Sequence, residues 1–168
     1  MTDSFFVRAA KTSDVSQIRE ILEPWAARGI MLGKEQVELF ESVQEFVVAE
    51  SQSGEILGCG ALHVMWEDLA EVRTLVVRPE AKGTGIGHAI LEKLLERAQQ
   101  LGIRRVFCLT FEVDFFSRCG FEVISDVPVD EATFEQMVQS ADDGVAEFLD
   151  LARVKENTLG NTRMLRLL

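Results

Sequence analysis

The stretch Val77-Arg78-Pro79-Glu80-Ala81-Lys82-Gly83-Thr84-Gly85-Ile86-Gly87-His88 decides how this chain reads. Before it, Leu69 to Val77 is a β-branched, apolar run that predicts a strand ending at Arg78-Pro79. After it, Ile86, Ile90, Leu94 and Leu101 recur at helical spacing, and Gly102 closes the helix. Glycines in such a loop let backbone N–H groups converge on one point, and the helix N-terminus adds partial positive charge. Together these features hold a phosphate.

Several nucleotide loops compete for this pattern. A Walker A loop needs Lys and then Ser or Thr after its last glycine, and here His88 follows Gly87, so that reading fails. A dinucleotide fingerprint needs G-x-G-x-x-G, but these glycines fall at 83, 85 and 87. Its strand should also open a βαβ unit, whereas this one follows a meander. A loop for the pyrophosphate of coenzyme A fits the context. A plain glycine-rich turn between strand and helix is the bland alternative.

Outward from the loop, Phe5 to Ala10 reads as a first strand. Thr12-Ser13-Asp14 starts a helix carried by Val15, Ile18, Leu22 and Trp25, which Pro24 should end or kink near its last turn. Gly29 and Gly33 bracket a loop, and Lys34 to Ser42 reads as a short helix. Strands Glu45 to Ser51 and Ile56 to Trp66 form a hairpin around Ser53-Gly54-Glu55. Beyond the loop come a strand (Arg105 to Phe111), a short helix (Asp114 to Cys119, stopped by Gly120), a strand (Phe121 to Ile124), a helix (Glu131 to Ser140) and a last strand (Thr162 to Leu168). Ala141 to Gly160 shows no decisive pattern. The meander followed by alternating elements predicts a mixed α/β sheet in a single domain over residues 1–168.

Composition excludes several function classes. The 168 residues are 47% hydrophobic and 27% charged, as in a water-soluble globule. The net charge of −11 argues against nucleic acid and against an anionic membrane surface. Any anionic ligand must be held by backbone N–H groups or by local cations. No apolar run approaches the roughly 18 to 20 residues of a membrane span. Neither does the N-terminus read as a signal peptide. Cys59, Cys108 and Cys119 lack C-x-x-C spacing, which fits a reducing cytoplasm, no disulfide framework and no metal site.

At these residues the chain resembles the GNAT superfamily of N-acetyltransferases. The coenzyme A loop pattern of that family matches Val77, Pro79, Lys82, Gly85, Ile86 and Gly87, with Lys82 where Arg or Gln is usual. A second motif, a short helix closing on Gly-Phe, matches Phe115 to Phe121. The resemblance implies the GNAT fold, a mostly antiparallel mixed sheet splayed between its fourth and fifth strands and flanked by helices. It also implies acetyl-CoA as co-substrate. The backbone of Leu75, Val76 and Val77 would pair with its pantetheine arm. Lys82, Gly83, Thr84, Gly85, Ile86, Gly87 and His88 would cradle the pyrophosphate. His88 otherwise reads simply as a residue of the helix start.

Acetyl transfer needs an amine freed of its proton, and a carboxylate or imidazole can accept that proton. Glu71 occupies the strand position where similar histone acetyltransferases carry their base. A solvated glutamate at a strand start is the bland reading. His63 is the rival base, although a lone histidine in an apolar strand is more often packing. Many family members protonate the leaving thiolate with a tyrosine four residues before the glycine of the Gly-Phe motif. Phe116 stands there, and the chain has no tyrosine at all. A thiol of ordinary acidity is a tolerable leaving group, so the chemistry survives this departure.

Gly29 to Lys34, Cys59 to His63, Leu109-Thr110 and Asn161 to Leu165 resemble the acetyltransferase domain of bacterial N-acetylglutamate synthases. The whole chain is similar to the short stand-alone type, which performs the first step of arginine synthesis. That resemblance implies L-glutamate, with L-glutamine as a further substrate. Two carboxylates entering an acidic protein need cations. Lys34 matches a basic position of the pattern, and Arg73, Asn161 and Arg163 are the other candidates for substrate binding. The alternatives are a GNAT enzyme for a peptide N-terminus, polyamine or aminoglycoside, and a non-catalytic acetyl-CoA sensor. The sequence does not fix an oligomeric state; a homodimer is one option.

Overall fold

Two glycines in one strand set how closely a helix can lie on the sheet. The computed structural model describes residues 4–29, 35–157 and 160–168. Its strands are β1 (Phe5–Ala9), β2 (Phe46–Ser51), β3 (Ile56–Trp66), β4 (Leu69–Val77), β5 (Arg105–Thr110), β6 (Glu122–Val123) and β7 (Thr162–Leu167). They form one seven-stranded sheet in the order β1-β2-β3-β4-β5-β7-β6. β1, β2 and β3 pair antiparallel, β4 and β5 pair parallel, and β7 pairs antiparallel with both β5 and β6. The helices are α1 (Val15–Ala27), α2 (Gln36–Glu41), α3 (Ile86–Gln100), α4 (Val113–Arg118), α5 (Glu131–Met137) and α6 (Asp143–Phe148). By internal contacts the chain divides into two compact units, Met1–His63 with Val72–Ala98 and Val64–Glu71 with Gln99–Leu168.

In the first unit, α3 buries Ile86, Ile90, Leu91, Leu94, Leu95 and Ala98, the stripe expected of an amphipathic helix. Leu101, expected on the same stripe, lies beyond the helix and is 56% exposed. Gly102 follows with φ +84°, so the chain turns away before Leu101 can reach the core. The helix rests on β3 at Gly58 and Gly60. A Cβ on Gly58 would lie 2.9 Å from the Val76 carbonyl oxygen and 3.1 Å from Ile90 Cδ1. One on Gly60 would lie 2.9 Å from Ile90 Cγ2 and 3.0 Å from Leu94 Cδ1. A second cluster joins Val15, Ile18, Ile21 and Leu22 of α1 to Val48, Ile56, Cys59 and Val76. α1 continues through Pro24 to Ala27. Pro24 is exposed and so near the C-terminus that the hydrogen bond it forfeits lies in the last, solvated turns.

A charged network fastens the start of α1. Arg8 grips Asp14 with both Nη atoms at 2.7 and 2.9 Å and reaches Glu50 with Nε at 2.5 Å. The Lys11 amide also donates to Asp14 at 2.7 Å. Arg8 above all, and then that amide, hold the buried Asp14 carboxyl below its ordinary range against the opposing effect of burial.

In the second unit, Phe107, Leu69, Met65, Met137, Val145, Phe148 and Leu149 form the core. The stretch without a decisive pattern contributes α6 and a 3-10 turn at Ala152–Asn157. α6 is capped by Asp142, whose side chain accepts from the Val145 amide, and it buries Val145, Ala146 and Phe148. Asp68 joins the strand starts: its carboxylate pairs with Arg105 at 3.0 and 3.1 Å, and its carbonyl accepts from the Arg104 and Arg105 amides. The parallel register then begins at Leu69 with Arg105 and ends at Glu71 with Phe107, while β4 runs on to Val77 and β5 to Thr110.

Two outcomes follow from this packing. Gly58→Ala should lower stability by about 1–3 kcal/mol, because the added methyl meets a backbone carbonyl that cannot swing aside. Urea unfolding checks it, and no loss of stability would show that α3 yields freely. Asp14 ionises more readily folded than unfolded, so its contribution is present above about pH 4 and is lost as pH falls through its lower folded value. Between about pH 5 and pH 3, wild type should therefore lose more stability than Asp14→Asn, as urea midpoints across that range will show.

Candidate active site

The glycine loop begins from a fixed point. Arg78, at the end of β4, donates its amide to the Leu57 carbonyl at 2.8 Å and its Nε to the Ile56 carbonyl at 2.7 Å. Glu20 and Glu55 pair with its guanidinium at 3.3 and 3.7 Å. A 3-10 turn over Pro79–Ala81 follows, closed when the Thr84 hydroxyl donates to the Ala81 carbonyl at 2.5 Å. Gly83 and Gly85 take φ of +77° and +85°, a conformation that L side chains resist. A Cβ at either position would meet no atom within 4 Å, so the glycines leave open space above the backbone. Ile86 and Ile90, both buried, anchor the start of α3, which begins at the residue after Gly85. The amides of a helix's first turn lack intrahelical acceptors and carry the positive end of the dipole. The arrangement can hold an anionic group without a cationic side chain at its centre.

Lys82 is exposed, and its ammonium lies 4.8 Å from the centre of the Trp25 ring, with Arg28 on the same ring at 5.8 Å. Its charge therefore stands beside the loop, stacked on α1. His88 is the third residue of α3 and is exposed, as its bland reading expects.

Along β4 the candidates fall in order. Leu75, Val76 and Val77 form the last three residues of the strand. Leu75 Cδ1 lies within 3.1 Å of where a Gly60 Cβ would stand, beside Ile90 and Leu94, whereas Val76 packs with α1. Arg73 is half-buried. Glu71 is 3% exposed, the deepest of the carboxylates that could act as a base. It is not the solvated glutamate of its bland reading. Burial first, and then the charge of Glu71, push the Cys108 thiol on β5 well above its usual value. Burial alone pushes the Cys59 thiol up to about 12. Cys59, Cys108 and Cys119 are all buried and form no disulfide, and with their raised thiol values the first two are inert as thiols and read as core.

His63 does not stand alone in an apolar strand. Its Nδ1 lies 2.5 Å from Glu45 Oε1, and both side chains are partly exposed. This pair was not legible from either segment, because it joins residues 18 apart across two elements. Phe116 is buried and packs edge-on against Phe115 and Phe121, so the place of the absent tyrosine belongs to an aromatic cluster.

Of the substrate-binding candidates, Lys34 lies outside the described residues. Asn161 is half-buried just ahead of β7. Arg163 sits on β7 with its guanidinium 5.6 Å from the Phe107 ring centre. Its Nη atoms donate to the Asp126 carbonyl at 2.8 Å and the Phe148 carbonyl at 2.5 Å, while its buried Nε has no hydrogen-bond partner. Desolvation draws its affinity for the proton below the usual arginine value. Thr74 escaped sequence reading altogether. It takes φ +53° within β4 and buries an Oγ1 with no hydrogen-bond partner, and no sequence pattern marks such a residue.

Comparison with known proteins bears on this geometry. The model of the acetyltransferase (GNAT) family matches residues 15–121. An amino-acid acetyltransferase of Mycobacterium tuberculosis is 52% identical over 164 residues, which cover 96% of this chain and 94% of that one. A crystal structure from Mycobacterium tuberculosis in complex with CoA and NLQ superposes with a TM-score of 0.94 at 52% identity, covering 97% of this chain and 99% of that one. The N-acetylglutamate synthase of Neisseria gonorrhoeae, complexed with coenzyme A and N-acetyl-glutamate, shares the fold at a TM-score of 0.79 and 24% identity, with 98% of this chain matching 35% of that one.

Proposed function

The chain belongs to the GNAT family of acetyltransferases, and on that premise we propose that it is an amino-acid N-acetyltransferase acting as an N-acetylglutamate synthase. It moves the acetyl group of acetyl-CoA to the α-amine of L-glutamate, with L-glutamine a weaker acceptor, as the first step of arginine biosynthesis. Residues 1–168 act as one catalytic domain in the cytoplasm. The observation that carries this reading is the 52% identity, over 96% of the chain, to an amino-acid acetyltransferase.

The residues present fit acetyl-CoA. The open space above Gly83 and Gly85 suits a pyrophosphate, and the first turn of α3 faces it with a positive dipole end. Lys82, Thr84, Ile86, Gly87 and His88 complete this cradle, and the backbone of Leu75, Val76 and Val77 holds the pantetheine arm. Bound acetyl-CoA supplies the acetyl thioester. Glu71 removes the proton from the α-ammonium of the substrate, directly or through water, and so frees the nitrogen lone pair for attack. Its place supports this role, since it is a buried carboxylate on the strand that leads into the glycine loop. Lys34, Arg73, Asn161 and Arg163 are the proposed contacts for the substrate carboxylates. Two donors of Arg163 already serve backbone carbonyls and its Nε is buried, so its part in binding would fall to the remaining Nη hydrogens.

Thiol release from acetyl-CoA with glutamate, glutamine and a cationic amine, compared side by side, tests the substrate. No turnover with either amino acid would remove the synthase reading. Gly85→Glu should abolish coenzyme A binding in calorimetry, because its carboxylate enters the space of an anion; retained affinity would clear the loop of this role. Glu71→Gln should lower kcat roughly a hundredfold or more near neutral pH, with recovery at high pH where the amine is already free. A rate close to wild type across that pH range would pass the role to the His63–Glu45 pair.

A further inference from the structure

Two cations share one indole beside the glycine loop. Trp25 is half-buried near the end of α1 and packs against the cluster that holds Val15, Ile18, Leu22 and Val76, so its ring is fixed from one side. Lys82 Nζ lies 4.8 Å from the ring centre, and the Arg28 guanidinium carbon lies 5.8 Å from it. Both residues are exposed, and both belong to the same compact unit as the loop. Lys82 is the residue before Gly83, and Arg28 caps the C-terminus of α1. Two like charges drawn to one ring repel each other. Elsewhere the chain neutralises such charges, since Arg8, Arg78, Arg105 and Arg153 pair with carboxylates. Among the described residues no carboxylate pairs with Arg28 or Lys82, although acidic side chains outnumber basic ones by 28 to 17. The ring also restricts two long side chains that would otherwise roam, which lowers the entropy lost when they close on a ligand. The outcome is a pair of cations gathered next to an anion cradle and left for an anion from outside.

We propose that the side chains of Lys82 and Arg28, gathered on Trp25, bind the 3′-phosphate on the ribose of CoA and make the protein select CoA over dephospho-CoA. This rests on the glycine loop holding the pyrophosphate of acetyl-CoA, and not on which amine accepts the acetyl group. The backbone of Lys82 stays with the pyrophosphate cradle, and only its side chain serves the second phosphate. The pyrophosphate is attached to the 5′ carbon of the ribose and the phosphate monoester to a neighbouring part of the same ring, so the monoester stands one sugar away from the loop. A phosphate monoester carries about −1.5 to −2 charges at neutral pH, which two cations match. A guanidinium supplies parallel N–H donors and an ammonium a compact charge, and both suit phosphate oxygens.

Calorimetry with CoA and with dephospho-CoA reads this patch without turnover. Wild type should bind CoA about tenfold or more tightly than dephospho-CoA. That advantage should shrink as salt rises, because both cations are exposed. In the double variant Lys82→Met with Arg28→Met the ratio of the two affinities should fall close to one, with each single variant giving part of the loss. Lys82→Arg keeps the charge and should keep most of the ratio. Equal affinities in wild type overturn the proposal. So does a ratio unchanged in the double variant; equal weakening of both ligands there would assign the cations to the pyrophosphate. Should the double variant not fold, the single variants are read by the same criteria. Wild-type protein that binds neither ligand overturns the cofactor assignment together with this proposal. Lack of turnover with glutamate bears on the acceptor alone.

Discussion

The seat of α3 on β3 is the contact on which the rest of the site depends. Gly58 and Gly60 remove two side chains from the middle of a long strand, and Ile86, Ile90 and Leu94 fill the space. The helix axis can then come close enough for its first turn to emerge at the end of β4, where Arg78 ties the chain to Ile56 and Leu57. A methyl group at either glycine would push the helix outward and carry the loop with it. The geometry of the glycine loop thus depends on the two glycines beneath the helix as well as on its own residues.

Charge explains why the loop is built from backbone. The chain carries 28 acidic and 17 basic side chains, so an anion approaches against the general field. Many of the cations are also occupied in structure. Arg8, Arg78, Arg105 and Arg153 pair with carboxylates, and Arg163 and Arg166 donate to backbone carbonyls. Amide groups and a helix dipole are not consumed in this way. Such groups can hold an anion locally while the surface stays acidic.

β4 brings the remaining chemistry into line along one chain segment. Its first residues pair with β5 and set Glu71 deep in the protein. Its last residues lead into the loop. Between them Thr74 departs from extended geometry, and Leu75 and Val76 then pack toward α3 and α1 respectively. Such a departure costs energy in any strand, and it is tolerated where packing on both sides leaves no alternative.

The sequence by itself determined the strand bounds of β3 and β4, the helix that follows them and the glycine loop between strand and helix, because these depend on local patterns. A two-residue period, a helical period and glycines between them are written in neighbouring residues. It also pointed to Glu71, through a resemblance that places a base on that strand. Tertiary structure alone decided the rest. Leu101 fits the helical period yet is exposed, because the helix ends first. α6 shows no strong pattern and still buries Phe148, since the core of Phe107 and Met137 supplies what its own residues lack. Arg163 looks like an available cation until its carbonyl partners appear, and His63 looks solitary until Glu45 does. The left-handed backbone of Thr74 has no signature either, for threonine is an ordinary strand residue. In each of these cases the deciding atoms lie far away in the chain, and only folding brings them within the few ångströms over which packing and hydrogen bonds act.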